Sequence, residues 1–132
     1  MRYPLDELLD KRSIIQLKME RIPKRSGELK EEYEDYTSAI IEYETEKITS
    51  PIDVVEWHEE LYKINGQIWD LEADIRSGKE GVLGLEEVGK RALAIRNLNS
   101  ERILVKRDIV ARTGIGYKDI KDNHASQQPY LD

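Results

Sequence analysis

The chain has 132 residues, the size of one domain, and its 21 basic and 27 acidic side chains give a net charge of −6. This acidic balance argues against a nucleic-acid or membrane-surface binder, and the absence of cysteine excludes disulfides, thiolate metal sites and a cysteine nucleophile. Because there is no leader pattern and no apolar run near the roughly 18 residues of a membrane span, we expect a soluble cytoplasmic protein.

Helical periodicity accounts for the first part of the chain. Apolar residues at steps of three and four predict a helix from Leu5 to Ile22, which Pro23 ends. A second helix is predicted over residues 28–48. Its seam is rich in tyrosine and consists of Leu29, Tyr33, Tyr36, Ile40 and Tyr43. A seam of this composition contains more polar contacts or water than a leucine seam, because each hydroxyl group needs a hydrogen-bond partner.

Two longer helices are predicted after residue 50. Ser50 is a candidate N-cap, since Pro51 follows it at the first helical position. The third helix reaches about residue 76, and the fourth extends over 85–112 before Gly114. Between them lies a glycine-rich connection over residues 77–84. The apolar stripe of the third helix is the most regular in the chain: Val54, Trp57, Leu61, Ile64, Ile68, Leu71 and Ile75.

These elements predict an all-α protein, an antiparallel helical bundle of about four helices with a long C-terminal hairpin. Residues 1–112 are expected to form one domain, followed by an extension at 113–132. The extension is expected to be largely irregular, with a turn near 117–121 and disorder over 125–132. At about 1.5 Å per residue the last two helices would reach about 40 Å, so a narrow protomer would leave apolar surface uncovered. We therefore expect a homodimer or another homo-oligomer.

A polar stripe with aromatic members flanks the apolar stripe of the third helix. If the hairpin is centred near residue 80, Tyr62 lies opposite Asn99, His58 lies opposite Arg102 or Ile103, and the chain approaches closely at Gly89. Half-buried polar groups need hydrogen-bond partners, so this stripe is the candidate site. Its members are His58, Tyr62, Asn65, Trp69, Glu72 and Arg76 on the third helix, with Asn99, Arg102 and Lys106 on the fourth.

Two interpretations of the polar stripe remain open at this point. In the first, its residues form interhelical hydrogen bonds that fix the register of the helices. In the second, Arg102, Lys106 and a lysine of the first helix bind an acidic ligand, and Trp69 or Tyr62 provides a stacking surface. Charge is unevenly distributed, because residues 28–48 carry a net charge of −6 and residues 85–112 a net charge of +3. Packing of oppositely charged helices explains this difference without a ligand.

The polar stripe also carries a resemblance. Asn65, Trp69, Glu72 and Arg76 are spaced N-x3-W-x2-E-x3-R, and N-x2-R-x3-K-R follows at residues 99–107. This pattern, together with residues 7–18, resembles a bacterial family of small all-helical proteins known only as a domain of unknown function. The likeness covers about residues 5–22 and 54–121. It implies a helical fold and no particular activity.

One enzymatic alternative is a Mg²⁺-dependent hydrolase of nucleotides or related phosphoesters. Such an enzyme needs carboxylates on facing helices to hold the metal ion. The candidate ligands are Glu56, Glu59, Asp70 and Asp74, whose spacing reproduces only half of that pattern. The favoured hypothesis is instead a non-enzymatic helical bundle without a cofactor. We expect it to self-associate and to bind a protein or small acidic partner through Tyr62, Asn65, Trp69, Arg102 and Lys106.

Overall fold

The computed structural model describes residues 3–79 and 83–114, with side chains from 3–76 and 83–114. These residues form four α-helices and no strand, which confirms the all-α class. The helices are α1 (Leu5–Arg21), α2 (Ser26–Thr45), α3 (Pro51–Lys79) and α4 (Leu85–Thr113), with a 3₁₀ turn at Pro23–Arg25. The turn predicted at 117–121 and the disorder predicted at 125–132 lie outside the described residues. None of the described helices has a segment both long and apolar enough to cross a bilayer.

The helix ends follow the local sequence signals. Pro23 begins the 3₁₀ turn two residues after α1 ends. The Ser50 hydroxyl accepts a hydrogen bond from the Asp53 N–H at 3.2 Å, so Ser50 caps the first turn of α3. Gly114 has a φ of 72°, and this left-handed conformation closes α4 at little steric cost because glycine has no side chain. The predicted boundaries therefore agree with the structure to within three residues.

Helix α1 lies at the centre of the molecule and contacts α2, α3 and α4. Leu5 and Leu9 are completely buried, and Leu17 on another side of the helix is nearly so. An amphipathic helix at the edge of a bundle buries one stripe, whereas a central helix buries most of its circumference. Polar side chains of α1 are therefore buried along with the apolar ones, and the candidate site depends on them.

The apolar stripes of α2 and α3 pack toward α1. Leu29, Ile40 and Tyr43 of α2 are buried as predicted, and the Tyr43 hydroxyl donates a hydrogen bond to the Tyr3 carbonyl at 2.6 Å. In α3 the first five members of the predicted stripe are buried, whereas Leu71 and Ile75 are half-buried. The core thus lies around the first two thirds of α3, and it thins toward the end of the helix.

Three side-chain contacts define the register between α3 and α4. Asp53 pairs with Arg112, the Trp57 indole N–H donates to Asp108, and Asp74 pairs with Arg91. Residue numbers rise along α3 as they fall along α4 at these contacts. A hairpin centred near residue 80 would place Tyr62 opposite Asn99. In the structure the pairing of α3 with α4 is displaced from that register by more than one helical turn. The predicted approach of His58 to the fourth helix is therefore wrong, because His58 contacts α1 instead.

Candidate functional site

The structure divides the predicted polar stripe into two clusters, each built around a charged residue of α1. The Asp10 cluster contains Asp10, Glu7, Ser13, Asn65, Arg102 and Lys106. The Arg12 cluster contains Arg12, Gln16, Tyr33, Thr37 and His58. Of the nine predicted residues, Asn65, Arg102 and Lys106 belong to the first cluster and His58 belongs to the second.

In the Asp10 cluster a single buried carboxylate joins three helices. Arg102 of α4 donates to it through both Nε, at 2.9 Å from Oδ1, and a terminal nitrogen. Asn65 of α3 donates to Oδ1 at 3.0 Å and to the Ser13 hydroxyl at 2.9 Å. Lys106 lies 3.6 Å from Asp10 and pairs with Glu7. The two cations of α4 are therefore already neutralised by acidic residues of α1.

The groups around Asp10 favour its ionised form. Burial by itself raises the pKa of this carboxyl group. Hydrogen bonds from Arg102 and Asn65, together with the charges of Arg102 and Lys106, outweigh burial and hold the pKa below its ordinary value. The same hydrogen bond from Arg102 to Asp10 raises the pKa of the guanidinium group. The arrangement is a bidentate, charge-assisted pair, which fixes geometry as well as charge.

The Arg12 cluster holds a buried guanidinium group that, within the described part of the chain, forms no direct ion pair with a carboxylate, although the charge of Glu44 favours its charged form. Arg12 Nε donates to His58 Nδ1 at 3.1 Å, and a terminal nitrogen donates to the Thr37 hydroxyl at 3.2 Å. The Arg12 guanidinium carbon lies 5.4 Å from the centre of the Tyr33 ring, within cation–π range. Burial lowers the pKa of Arg12, although an arginine keeps its charge at any physiological pH. This cluster therefore ties α1 to both α2 and α3.

His58 is neutral in this arrangement. Because Arg12 donates to Nδ1, the ring proton lies on Nε2, which is 2.6 Å from the Gln16 side-chain oxygen. Burial, followed by the charge of Arg12, lowers the pKa of His58 to about 4. Both ring nitrogens are engaged within the protein, which leaves neither available to transfer a proton or bind a metal ion.

The remaining members of the stripe lie toward the surface. The Tyr62 hydroxyl donates to Glu20 at 2.6 Å, and this hydrogen bond raises the pKa of the phenol. Trp69 lies beneath Arg21, whose guanidinium carbon is 6.0 Å from the ring centre. Glu72 and Arg76 are exposed and Asn99 is half-buried. The structure therefore does not bring all nine predicted residues together in one place.

The four carboxylates of the hydrolase alternative all lie on α3. Glu56 and Asp70 are fourteen residues apart on one continuous helix, which separates them by about 21 Å. Asp70 pairs with Arg21 and Asp74 pairs with Arg91. Within 3–79 and 83–114, no three histidine or carboxylate side chains form a group able to hold a metal ion. The geometry gives no support to a site in which these four residues bind one Mg²⁺.

Sequence reasoning considered only a lysine of α1 as a candidate site residue and missed Asp10 and Arg12. It placed the candidate site between α3 and α4, whereas Asp10 and Arg12 are the residues on which the two clusters converge. A signal for them is present in the sequence. Both lie between the apolar pairs Leu8–Leu9 and Ile14–Ile15, and a charged side chain at a buried position of a helix requires a partner.

Apart from the two clusters, the structure has a distinct surface on the side of α4 that points away from α1 and α3. Its residues recur at steps of three and four along the whole helix, and all are exposed. Leu85 is 88% exposed and Leu104 is 61% exposed, although both are large apolar side chains. We call this surface the outer face of α4. It consists of Leu85, Gly89, Ala92, Leu93, Arg96, Ser100, Ile103, Leu104, Arg107 and Ala111.

Gly89 lies on the outer face, in the interior of α4. A glycine there destabilises a helix by about 0.5–1 kcal/mol relative to alanine. The predicted close approach of the chain at Gly89 is not found, because no described atom outside the local helix lies within 4 Å of the position a Cβ would occupy. Packing inside the described residues therefore provides no reason for a glycine at this position.

Comparison with known proteins gives no relative. No family model matches the chain, and searches of curated proteins and of solved structures find no match either. The resemblance to a bacterial family of small helical proteins therefore stays a prediction. The two clusters and the outer face are therefore the features of the molecule that bear on its function.

Proposed function

We propose that this protein is a non-enzymatic helical bundle that acts by binding other protein surfaces, and that it self-associates as a homodimer. The observation that carries the proposal is the outer face of α4. Among the described residues of this helix only Ile109 is fully buried, whereas Leu85, Leu93, Ile103 and Leu104 are exposed. Exposed large apolar side chains that recur on one face of a long helix are typical of a protein–protein contact.

The two clusters support a framework role for the polar stripe. Asp10 and Glu7 neutralise Arg102 and Lys106, so an acidic ligand would have to displace a buried ion pair before it could bind there. A small acidic partner therefore has less support than a protein partner. A cytoplasmic location remains part of the proposal as an expectation from the sequence.

Sedimentation equilibrium tests the proposal. We expect the wild-type protein to be dimeric at tens of micromolar, and Leu93→Glu to be monomeric at the same concentration, because an unpaired charge is costly in an apolar interface. Ile41→Glu is the matched control. It places the same charge at an exposed apolar position of α2, and it should leave the dimer unchanged.

Two results would refute the proposal. One is a wild-type protein that remains monomeric throughout this concentration range. The other is a Leu93→Glu variant that associates as strongly as Ile41→Glu. Circular dichroism of each variant shows whether the helices are intact, so that loss of association is not mistaken for loss of folding.

A further inference from the structure

The apolar residues of the outer face form two groups with a polar centre between them. Leu85, Ala92 and Leu93 precede Arg96, while Ile103, Leu104 and Ala111 follow Ser100. We propose that the outer face packs against the same face of a second copy in antiparallel orientation, with a two-fold axis at the level midway between Arg96 and Ser100. This inference rests on the proposed self-association and specifies the surface, the direction and the register.

The register follows from matching the two groups. An antiparallel pair about this axis places Leu93 against Ile103 of the second copy, and the same operation places Ala92 against Leu104 and Leu85 against Ala111. Polar residues then meet polar residues, because Arg96 lies against Ser100 of the second copy. A shift of seven residues in one direction would place Arg96 against Arg107. A shift in the other direction would place Arg96 against Leu93.

Charge selects the antiparallel direction. A parallel pair in register would bring Arg96 and Arg107 against their own copies, and facing like charges are destabilising. In the antiparallel pair Arg107 lies against Gly89 of the second copy, between Glu86 and Lys90 of that copy, which pair with each other. The first turn of α4 is acidic and its last turn is basic, so antiparallel packing brings opposite charges together along the contact.

Small side chains allow the two helices to approach closely. Gly89, Ala92, Ser100 and Ala111 are distributed along the outer face, and the distance between packed helix axes depends on the side chains at the contact. In the antiparallel register Gly89 lies against Arg107 of the second copy. The space above the glycine then accommodates a long side chain, which gives a reason for a glycine that packs against no described residue of its own chain.

Disulfide trapping tests the direction and the register in the 132-residue chain, which contains no cysteine of its own. Three variants are oxidised under identical conditions: Leu93→Cys, Ile103→Cys and the double variant. On one helix these positions are ten residues, or about 15 Å, apart, too far for a disulfide within one chain. Ile41→Cys on α2 is the control for collisions between separate molecules.

We expect covalent dimer mainly from the double variant, with about tenfold more than from either single variant or the control, since thiols held in contact have a high effective concentration. If the single variants cross-link as well as the double variant, the helices are parallel and the inference is overturned. If no variant cross-links although the wild type sediments as a dimer, the surface or register is wrong but self-association stands. A monomeric wild type overturns both proposals.

Discussion

Replacement of Asp10 by asparagine removes the charge on which three helices converge while preserving the shape of the side chain. Asn65 keeps an acceptor, but the new amide group presents hydrogen-bond donors to Arg102. Removing one partner of a fully buried ion pair costs about 3–5 kcal/mol. The Arg102 side chain is 29% exposed, so water solvates part of the abandoned guanidinium and the expected loss is about 2–3 kcal/mol.

Urea unfolding followed by circular dichroism measures this loss, which corresponds to a fall in Tm of about 8–12 °C. Asp70→Asn is the matched control. It removes another aspartate paired with an arginine, but that carboxylate is 65% exposed, and surface pairs contribute about 0–1 kcal/mol. Equal losses in the two variants would refute the argument that burial determines the strength of the Asp10 pair.

The pH dependence gives an independent check on the same residue. Because the folded-state pKa of Asp10 is lowered, its stabilisation is fully present above the ordinary carboxyl pKa of about 3.9 and is lost as the pH falls below that value. The stabilities of the wild type and Asp10→Asn should therefore converge in acid. Adding Arg102→Met to Asp10→Asn should restore part of the lost stability, because no unpaired charge then remains.

Three further predictions concern other parts of the fold. Because the pKa of His58 is lowered to about 4, the unfolded chain binds its proton at a higher pH than the folded protein, so wild type should lose about 1–2 kcal/mol of stability between about pH 7 and 5. His58→Gln should show a flatter profile, and an NMR titration midpoint near 6.5 would contradict this reasoning. Trp57→Phe removes the hydrogen bond to Asp108 and should cost about 1–2 kcal/mol in urea unfolding, whereas Asp108→Asn, which keeps an acceptor, should cost less. Lys47 has a φ of 61°, a left-handed conformation that glycine adopts more easily than lysine, so Lys47→Gly should stabilise the fold by about 0.5–1 kcal/mol. Lys30→Gly within α2 should instead destabilise it, because glycine is a poor helix former. If both substitutions stabilised the fold, the left-handed backbone at Lys47 would not be the cause.

Local signals were sufficient to predict the helices but not their arrangement. Periodicity, the Ser50 cap and Gly114 are properties of neighbouring residues, and the predicted boundaries of all four helices were close to those observed. The position of α1 at the centre depends on contacts between distant residues. Hairpin register was predicted from the centre of a loop, a poor guide when the opposing side chains decide it, as Asp74 and Arg91 do. Without the register, His58 and Arg102 were assigned to the same place.

The order of synthesis has a consequence for the central helix. Helix α1 is synthesised before α2, α3 and α4, all of which contact it, and Asp10 and Arg102 are separated by 92 residues. At about 5–20 residues per second, a ribosome needs on the order of 5–20 s to add that stretch. During this time Asp10 lacks the Arg102 guanidinium that pairs with it in the folded protein. The contact between α1 and α2 can form early, whereas the Asp10 cluster is completed only after α4 has been synthesised.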